Sequence, residues 1–414
     1  MASVLINPFD DRPLEDITRF VNREAERGAV DRLLASASAG HAQHLAFLGE
    51  DGMGKTSMVN YLKARATAFP AVRAVHLAID QDTTATSLAR AMVRYLLDTA
   101  HVGLGAYLLG LVGFGSAERL RAIRERLDDL RIDRESGVDI GLLNVLVLHE
   151  SITQRAAPGD VWADVAEALA AVVAALAPQV RAVYVLLDEG QYVAQDSAIT
   201  LLQRMRLVFQ RAPYAVCLAG TPQLFDRLNV LEPTFVNLFP EANRFTLAPM
   251  EARHVEELVG SRLAPVRVGG SGTAPFDGDA VARLAHEARG NPRYVVRYAS
   301  GALDLALRQA GAGHDLVVQA KHVVEAVARV NRVLGADRFL RLTEVEQAIV
   351  HAAFEAPRMS ITELAGRLGK SKSVVTREVA SLAERGYLAR TREGRRVQVS
   401  VTPALAAYLG GLDR

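Results

Sequence analysis

The chain has 414 residues, half of them hydrophobic, and a formal net charge of +1 at pH 7. This length allows two or three domains with cores of their own, and the near-balance of charge excludes a chain that is basic or acidic throughout. The one cysteine, Cys217, lies in an apolar run and cannot form an internal disulfide or a zinc cluster. We therefore expect a buried side chain in a protein of a reducing compartment.

Targeting and membrane signals are missing from the sequence. The N-terminal residues lack the basic and then apolar pattern of a signal peptide. The apolar stretch at 102–113 is too short and too rich in glycine to cross a bilayer. We therefore expect a cytoplasmic protein without membrane contact.

Residues 45–250 alternate short apolar runs with helical patterns, as in a parallel sheet covered by helices on both faces. The predicted strands are 45–48, 72–79, 181–187, 215–219 and 245–247, and the predicted helices include 55–66, 87–97, 160–176 and 196–209. Residues 100–158 fit this alternation poorly and are predicted to be an insertion. The expected fold class is therefore α/β, with residues 1–250 as its first domain.

The first predicted strand runs into a loop that fits the pattern GxxxxGK[ST] and opens a helix. Its glycines let successive backbone N–H groups point at phosphates, and the helix N-terminus adds partial positive charge. Lys55 would reach the β- and γ-phosphates, and the Thr56 hydroxyl would ligate Mg²⁺. The alternative is a glycine-containing strand-to-helix turn with a chance lysine. The predicted nucleotide contacts are Gly49, Glu50, Asp51, Gly52, Met53, Gly54, Lys55, Thr56 and Ser57.

The strand predicted at 181–187 is followed by two carboxylates, Asp188 and Glu189. Asp188 at the strand end can hold the magnesium ion together with Thr56. Glu189 is placed to polarise a water for attack on the γ-phosphate, which requires a carboxylate beside the nucleophile. An acidic cap on a buried strand explains either residue alone. The pair downstream of a P-loop favours hydrolysis in addition to binding.

The strand pattern stops near Met250, and helices are predicted at 251–263, 277–289, 292–309 and 317–334. These helices make up a second domain at 251–336. A third domain at 337–414 contains predicted helices at 342–353, 361–368 and 372–385 and then a hairpin around Glu393-Gly394. This is the layout of a winged helix-turn-helix, whose third helix can lie in the major groove of DNA.

Basic residues are concentrated in this last domain. Between residues 366 and 396 nine basic side chains face three acidic ones, a local charge of +6 in a chain whose total is +1. Basic and hydroxyl side chains start the third helix, and arginines lie in the hairpin, where phosphate contacts are expected. The predicted contacts to double-stranded DNA are Lys370, Ser371, Lys372, Ser373, Thr376, Arg377, Arg392, Arg395 and Arg396.

Four short segments resemble motifs of the AAA+ ATPases. Among these the chain is most similar to archaeal origin-recognition-type initiators and related transposon-encoded ATPases, which border on the STAND signalling ATPases. The four segments are residues 20–26 (FVNREAE), 186–191 (LLDEGQ), 219–222 (AGTP) and 290–293 (GNPR). The first resembles the GREXE box, with Asn22 where glycine is usual, and the second resembles the DEAQ and DEAH endings of this group.

The resemblance implies that the nucleotide is ATP with Mg²⁺ and that residues 251–336 form a helical lid. It implies that Arg23 lies at the adenine and that Thr221 and Arg293 act as the first and second sensors of the γ-phosphate. Each sensor has a plainer alternative. Gly-Thr-Pro also forms turns, and Gly-Asn-Pro also starts helices with proline at the first position.

Arg244, just before the last predicted strand, resembles the arginine finger that reaches a neighbour's nucleotide in AAA+ assemblies. Such a finger requires head-to-tail association, which produces rings or open filaments. The alternative is a surface arginine that caps a strand.

Two functions remain open at this point. In the first, nucleotide state controls assembly on DNA through the winged helix. In the second, the chain is a STAND-like switch or sensor whose winged helix packs internally or binds a protein. Residues 100–158 are then the natural contact for a protein partner.

Overall fold

The computed structural model describes residues 3–4, 6–79, 180–192, 213–268, 271–310, 316–393 and 396–412, with single positions between 202 and 210. The predicted insertion at 100–158 and the helices predicted at 87–97 and 160–176 lie outside these residues, as does most of the helix predicted at 196–209. The chain divides into two compact units, one formed by Arg12–Pro249 and the other by Met1–Asp11 with Met250–Arg414.

The described strands are, in chain order, β1 (Ser3–Val4), β2 (Leu45–Leu48), β3 (Val72–Ala78), β4 (Ala182–Asp188), β5 (Tyr214–Gly220), β6 (Arg244–Thr246), β7 (Arg267–Val268), β8 (Met359–Ser360), β9 (Leu388–Glu393) and β10 (Arg396–Val401). The described helices are α1 (Glu24–Ser38), α2 (Lys55–Ala66), α3 (Leu224–Leu231), α4 (Pro233–Val236), α5 (Ala252–Leu263), α6 (Gly278–Ala288), α7 (Pro292–Ala310), α8 (Ala320–Leu340), α9 (Glu344–Glu355), α10 (Ile361–Leu368), α11 (Lys372–Glu384) and α12 (Pro403–Leu412). None of the described helices is both long and apolar enough to cross a membrane.

The unit Arg12–Pro249 is built on a parallel sheet with the strand order β3-β4-β5-β2-β6. Every residue of β4 and β5 whose burial is described is buried, as expected of central strands that are covered on both faces. The predicted α/β fold class is confirmed, and each predicted strand of the sheet agrees with the structure to within one residue at either end.

A hydrophobic core lies between this sheet and helices α1 and α2. It contains Phe47 of β2, Tyr184 of β4 and Met58 of α2, all of them fully buried. Cys217 lies in the same core, where burial raises the pKa of its thiol, so the prediction of a small buried hydrophobic side chain is confirmed.

The second unit starts with the N-terminal residues, which pack against the helices that follow Met250. Strand β1 pairs with β7, and the Asn7 amide donates to the Ser300 carbonyl at 3.1 Å and to the Asp304 carboxylate at 2.8 Å. The Asp11 carboxylate lies 2.7 Å from the Arg297 guanidinium. The first residues therefore belong with the helical lid, whereas the sequence placed them in the first domain.

Helix α8 differs most from its prediction, because it extends to Leu340 and not to residue 334. The predicted boundary between the second and third domains, at residue 336, therefore lies inside one continuous helix. Gly335 resembles a helix end in the sequence, but a Cβ at this position would lie 2.1 Å from the Ala404 carbonyl of α12. Glycine is present because two helices pack closely here, and not because the helix ends.

The C-terminal helices and hairpin have the predicted winged helix-turn-helix layout. Thr343 and Ser360 each accept a backbone N–H at the start of a helix, and Glu346 and Glu363 complete the two capping boxes. Gly369 ends α10 with a φ of 60°, so the chain can turn into α11. Strands β9 and β10 pair antiparallel and form the wing.

His44 lies at the amino end of β2 as a partly buried, neutral acceptor. Its Nδ1 accepts the Val216 backbone N–H at 2.9 Å, and its carbonyl accepts the Asn243 side-chain amide at 3.0 Å. Burial lowers the pKa of His44 to about 4. Protonation would therefore charge a buried ring and remove the acceptor for Val216.

The free energy of unfolding should depend on this histidine between about pH 6.5 and pH 4. In that window the unfolded chain binds the proton and the folded chain does not, so stability falls as the pH falls. His44→Asn keeps an acceptor but does not titrate, and it should remove roughly 2–3 kcal/mol of that fall. Urea unfolding at pH 4.5 and pH 7.5 measures it, and identical pH profiles for both proteins would contradict the assignment.

Candidate functional site

The predicted phosphate loop connects β2 to α2 in the expected strand–loop–helix arrangement. Gly52 and Gly54 have φ values of 83° and 90°, a backbone conformation that favours glycine. Helix α2 begins directly after Gly54 without any side chain capping its first turn. Its N–H groups and the positive end of its dipole are therefore available to an anion.

Three predicted contacts of this loop have further roles in the structure. The Lys55 Nζ donates to the Gly49 carbonyl at 2.9 Å and to the Glu50 carbonyl at 3.0 Å, so the amine lies over its own loop. The Met53 side chain is buried in the core, which leaves only its backbone for a ligand. The Ser57 hydroxyl accepts the Leu14 N–H at 3.1 Å and thereby holds the segment that leads to α1.

The two predicted acidic residues lie at the carboxyl end of β4. Asp188 is 7% exposed, whereas Glu189 is exposed and has a φ of 57°. The Glu189 N–H donates to an Asp188 carboxylate oxygen at 3.0 Å, which turns the two side chains in different directions. One carboxylate is thus buried at the sheet edge, and the next one faces solvent.

Strand register brings these residues to the same edge of the sheet as the phosphate loop. Leu48 pairs with Gly220, and Leu187 pairs with Leu218, so β5 lies between the strands that precede the loop and the acidic pair. The Gly49 N–H also donates to the Gly220 carbonyl at 3.1 Å. Thr221 follows Gly220 directly and therefore lies between the phosphate loop and the acidic pair.

Gly190 is a residue of this site that the sequence analysis did not single out. A Cβ there would lie 2.8 Å from the Ala219 carbonyl and 2.9 Å from the Leu218 side chain. Only glycine lets the chain pass β5 so closely directly after Glu189. The DEAQ and DEAH motifs have alanine at this position and therefore do not indicate the close approach of the chain to β5.

Thr221 and Arg244 have local roles that fit their plainer alternatives. The Thr221 carbonyl accepts the Leu224 N–H at 3.1 Å in the turn that starts α3. The Arg244 guanidinium donates to the Phe239 carbonyl at 2.8 Å and lies over the Phe225 ring at 4.5 Å. These contacts fix the segment around α3 and α4 within one chain, and the sensor and finger roles stay predictions.

Asn22 and Arg23, in the segment that resembles a GREXE box, precede α1. Asn22 has a φ of 65°, which explains why glycine is usual there and why asparagine is tolerated. Arg23 was expected at the adenine, but its guanidinium is buried and donates to the Ala248 carbonyl at 2.6 Å. The structure therefore assigns it a contact with the protein's own backbone.

Arg293 belongs to the other unit, in the first turn of α7. The Asn291 side chain accepts the Arg293 N–H at 3.1 Å, and Pro292 occupies the first helical position. The plainer alternative, a turn that starts a helix, is thus present. The role of Arg293 as the second sensor of the γ-phosphate stays a prediction.

The start of α11 presents the predicted basic surface. Lys370, Lys372 and Arg377 are exposed, while Val375 and Val379 on the opposite face are buried in the winged-helix core.

The hydroxyl groups of this surface are partly used within the helix. The Ser371 Oγ caps α11, Ser373 Oγ lies 3.1 Å from it, and Thr376 Oγ1 donates to the Lys372 carbonyl at 2.7 Å. Arg395 and the side chains of Arg392 and Arg396 lie outside the described residues, and their predicted DNA contacts stay predictions.

Comparison with known families agrees with the site. Residues 19–217 match the family model described as AAA ATPase domain, and residues 341–403 match a model described as HVO_A0114. Residues 19–217 are therefore similar to AAA ATPase domains. The chain as a whole shares the fold of the Aeropyrum pernix ORC1 protein, which is compared below.

The similar structures and the relative cover nearly the whole chain. The Aeropyrum pernix ORC1 protein in complex with DNA has a TM-score of 0.61 at 16% identity, covering 97% of this chain and 94% of that chain. The Aeropyrum pernix ORC2 protein in ADPNP-ADP complexes has a TM-score of 0.57 at 14% identity, covering 96% of this chain and 95% of that chain. The uncharacterized HTH-type transcriptional regulator MJ0774 of Methanocaldococcus jannaschii is 23% identical, covering 98% of this chain and 93% of the relative.

Proposed function

We propose that this protein binds and hydrolyses ATP at the sheet edge, and that its nucleotide state controls its assembly on duplex DNA through the winged helix. One observation carries the proposal. A phosphate loop, a buried carboxylate and an exposed carboxylate lie at one sheet edge of a chain that also exposes a basic helix start.

The phosphate loop supplies binding and charge neutralisation for the triphosphate. The uncapped first turn of α2 provides backbone N–H donors, and Lys55 can exchange its carbonyl contacts for phosphate oxygens. Glu189 acts as the base, because its exposed carboxylate directly follows the strand end that carries Asp188 and can accept a proton from a water. The proton then lies on the Glu189 carboxyl group, the water oxygen bonds to the γ-phosphorus, and the bond from that phosphorus to the ADP oxygen breaks, so that ADP and phosphate leave.

The residues present fit a magnesium ion. Asp188 is a nearly buried carboxylate at the strand end, and Thr56 supplies a hydroxyl in the first turn of α2, so both offer the hard oxygen ligands that this ion prefers. When bound, the ion would neutralise charge on the β- and γ-phosphate oxygens. No group of three or more His, Cys, Asp or Glu side chains suited to a metal occurs in the described part of the chain.

Two proteins of similar structure support the choice of ligands. One Aeropyrum pernix protein was solved with ADPNP and ADP, and the other with DNA. The relative from Methanocaldococcus jannaschii is named as an HTH-type regulator.

The charge of the α11 surface supports DNA as the partner of the winged helix. On the face of α11 opposite the winged-helix core, Lys372 is exposed and the Arg377 side chain is 76% exposed. Arg377 contacts Glu378 at 2.9 Å, an exposed pair of little stability value that a phosphate can displace. ATP-dependent head-to-tail assembly is part of the proposal.

The nucleotide site is tested with two substitutions. Glu189→Gln should bind ATP normally but hydrolyse it roughly 10²-fold more slowly or worse, because the amide cannot accept the proton. Lys55→Ala is the matched comparison and should lose nucleotide binding. Titration with a fluorescent ATP analogue separates binding from turnover, and phosphate release measures turnover. Unchanged hydrolysis by Glu189→Gln would remove that residue from its role.

The DNA surface is tested by reversing charge on α11. The double variant Lys372→Glu with Arg377→Glu should lose most duplex binding, and any binding left should depend less on salt, with a slope lower by roughly 2. Arg32→Glu with Lys63→Glu makes the same change in charge at exposed positions of the ATPase unit and should bind like the parent. Wild-type protein that ignores duplex DNA at low salt, with and without ATP, would refute the DNA part of the proposal.

A further inference from the structure

Arg23 is a buried cation beside the phosphate loop. It is 7% exposed, its Nη2 donates to the Ala248 carbonyl at 2.6 Å, and the Glu26 carboxylate lies 3.8 Å from its Nη1. Burying a guanidinium is costly unless hydrogen bonds compensate, and here burial lowers its pKa. The hydrogen bonds that offset the burial of Arg23 go mainly to backbone carbonyls, and these carbonyls identify the segments that the side chain holds.

One of those carbonyls belongs to the phosphate loop, and the other belongs to the segment that follows β6. The Met53 carbonyl, 3.5 Å from the Arg23 Nη2, immediately precedes the left-handed Gly54 from which α2 starts. Ala248 lies two residues after the end of β6. Gly49 lies between these two segments, because a Cβ there would be 3.2 Å from the Met53 Cβ and 3.4 Å from the Leu247 Cβ. Arg23 therefore links the end of the phosphate loop to the segment after β6.

The backbone that carries Arg23 is itself unusual. Both Asn22 and Arg23 have positive φ, at 65° and 74°, and the Asn22 side chain accepts the Arg23 N–H at 2.7 Å. Residues other than glycine adopt this conformation at a cost, which the surrounding contacts must offset. The local conformation thus directs the guanidinium inward, towards the loop.

We propose that Arg23 is a positioning residue that holds the Met53–Gly54 part of the loop in its phosphate-binding conformation. It acts on the phosphates through the backbone and does not select the base. The inference rests on the proposed ATPase function and changes the expectation that Arg23 contacts the adenine.

ATP and GTP separate the two roles. Arg23→Gln should lower kcat/KM by about tenfold for both nucleotides, since the loop that binds their shared phosphates is loosened. Arg23→Lys keeps the charge and should restore part of the loss, while Asn22→Gly suits the positive φ and should retain full activity. All rates are measured below the unfolding temperature of each variant.

A loss confined to ATP would overturn the proposal in favour of an adenine contact. If Arg23→Gln folds with lower stability and keeps the parental kcat/KM, the role of Arg23 is structural and the proposal fails. If Arg23→Gln does not fold, the same comparison of kcat/KM with ATP and GTP is made with Arg23→Lys. A wild-type protein without any hydrolysis would instead refute the proposed function itself.

Helix α8 carries a second, independent observation, because it joins the lid and the winged helix without a break. Its first half packs on α7, where a Cβ at Gly301 would lie 3.0 Å from the Ala326 Cβ. Near its middle, Asn331 accepts the Tyr298 hydroxyl of α7 at 3.1 Å. Its second half packs on α12 at Gly335, where a Cβ would lie 2.1 Å from the Ala404 carbonyl and 2.6 Å from the Tyr408 Cβ. The same end of α8 contacts the rest of the winged helix, since Arg338 donates to the Gly386 carbonyl at 3.3 Å.

We infer that the lid and the winged helix move as one body, so that any change of the lid on nucleotide exchange carries the DNA-binding surface with it. A hinge at the junction would require a break in α8 or a loose contact with α12, and the described residues show neither. This inference also rests on the proposed function, because it explains how nucleotide state reaches DNA.

The test compares duplex DNA affinity with a non-hydrolysable ATP analogue and with ADP. Gly335→Ala adds one carbon against a backbone carbonyl, and Tyr408→Ala loosens the same contact from α12. Each should retain ATP hydrolysis and DNA binding, while the ratio of the two affinities falls towards 1. Ala328→Leu, on the exposed face of α8, should keep the parental ratio.

An unchanged ratio in both junction variants would overturn this inference. A ratio of 1 in the wild-type protein would refute nucleotide control of DNA binding, which belongs to the proposed function and is a separate failure.

Discussion

Parallel strand pairing is the constraint on which the nucleotide site depends. Because β2, β4 and β5 run in the same direction, their carboxyl ends meet at one edge, and the residues after each strand become neighbours despite long separations in sequence. The buried side chains of these strands fix the register, since a slip by one residue would turn apolar side chains out of the core. The same packing that stabilises the ATPase unit therefore positions its chemistry.

Close backbone approach is the second requirement, and glycine meets it at three junctions of different kinds. Gly49 lets the flanks of the phosphate loop meet, Gly190 lets the chain pass β5 after the acidic pair, and Gly335 lets two helices pack in the C-terminal unit. None of these three needs glycine for a positive φ. Their common property is that a neighbouring backbone or side chain occupies the space of a Cβ.

The sequence predicted those parts of the molecule that short-range patterns determine. Runs of three to eight mainly apolar residues predicted the strands, and the loop spacing predicted the start of α2 at Lys55 to the residue. Parallel strands buried on both faces leave an unbroken apolar run, which is a strong local signal.

Long-range contacts are the part of the structure that the sequence did not indicate. The guanidinium of Arg23 binds a carbonyl 225 residues away, and nothing near Arg23 indicates that partner. The resemblance to a family motif suggested a ligand contact for this residue. The helix predicted at 317–334 extends to Leu340, and the helix that packs against its Gly335 begins only at Pro403. Such partners are carbonyl groups and close packing, to which any sequence can contribute.

The charge distribution connects the two units in functional terms. A chain with a net charge of +1 gains little from general attraction to DNA, so the proposed DNA binding would come from a few basic side chains on one element. At the start of α11 those side chains are held by a helix whose other face is buried, and this fixes their spacing. A small, rigid basic surface is sensitive to its orientation, because a modest rotation removes several phosphate contacts at once. Such a surface, attached firmly to the lid, is well suited to control by a nucleotide.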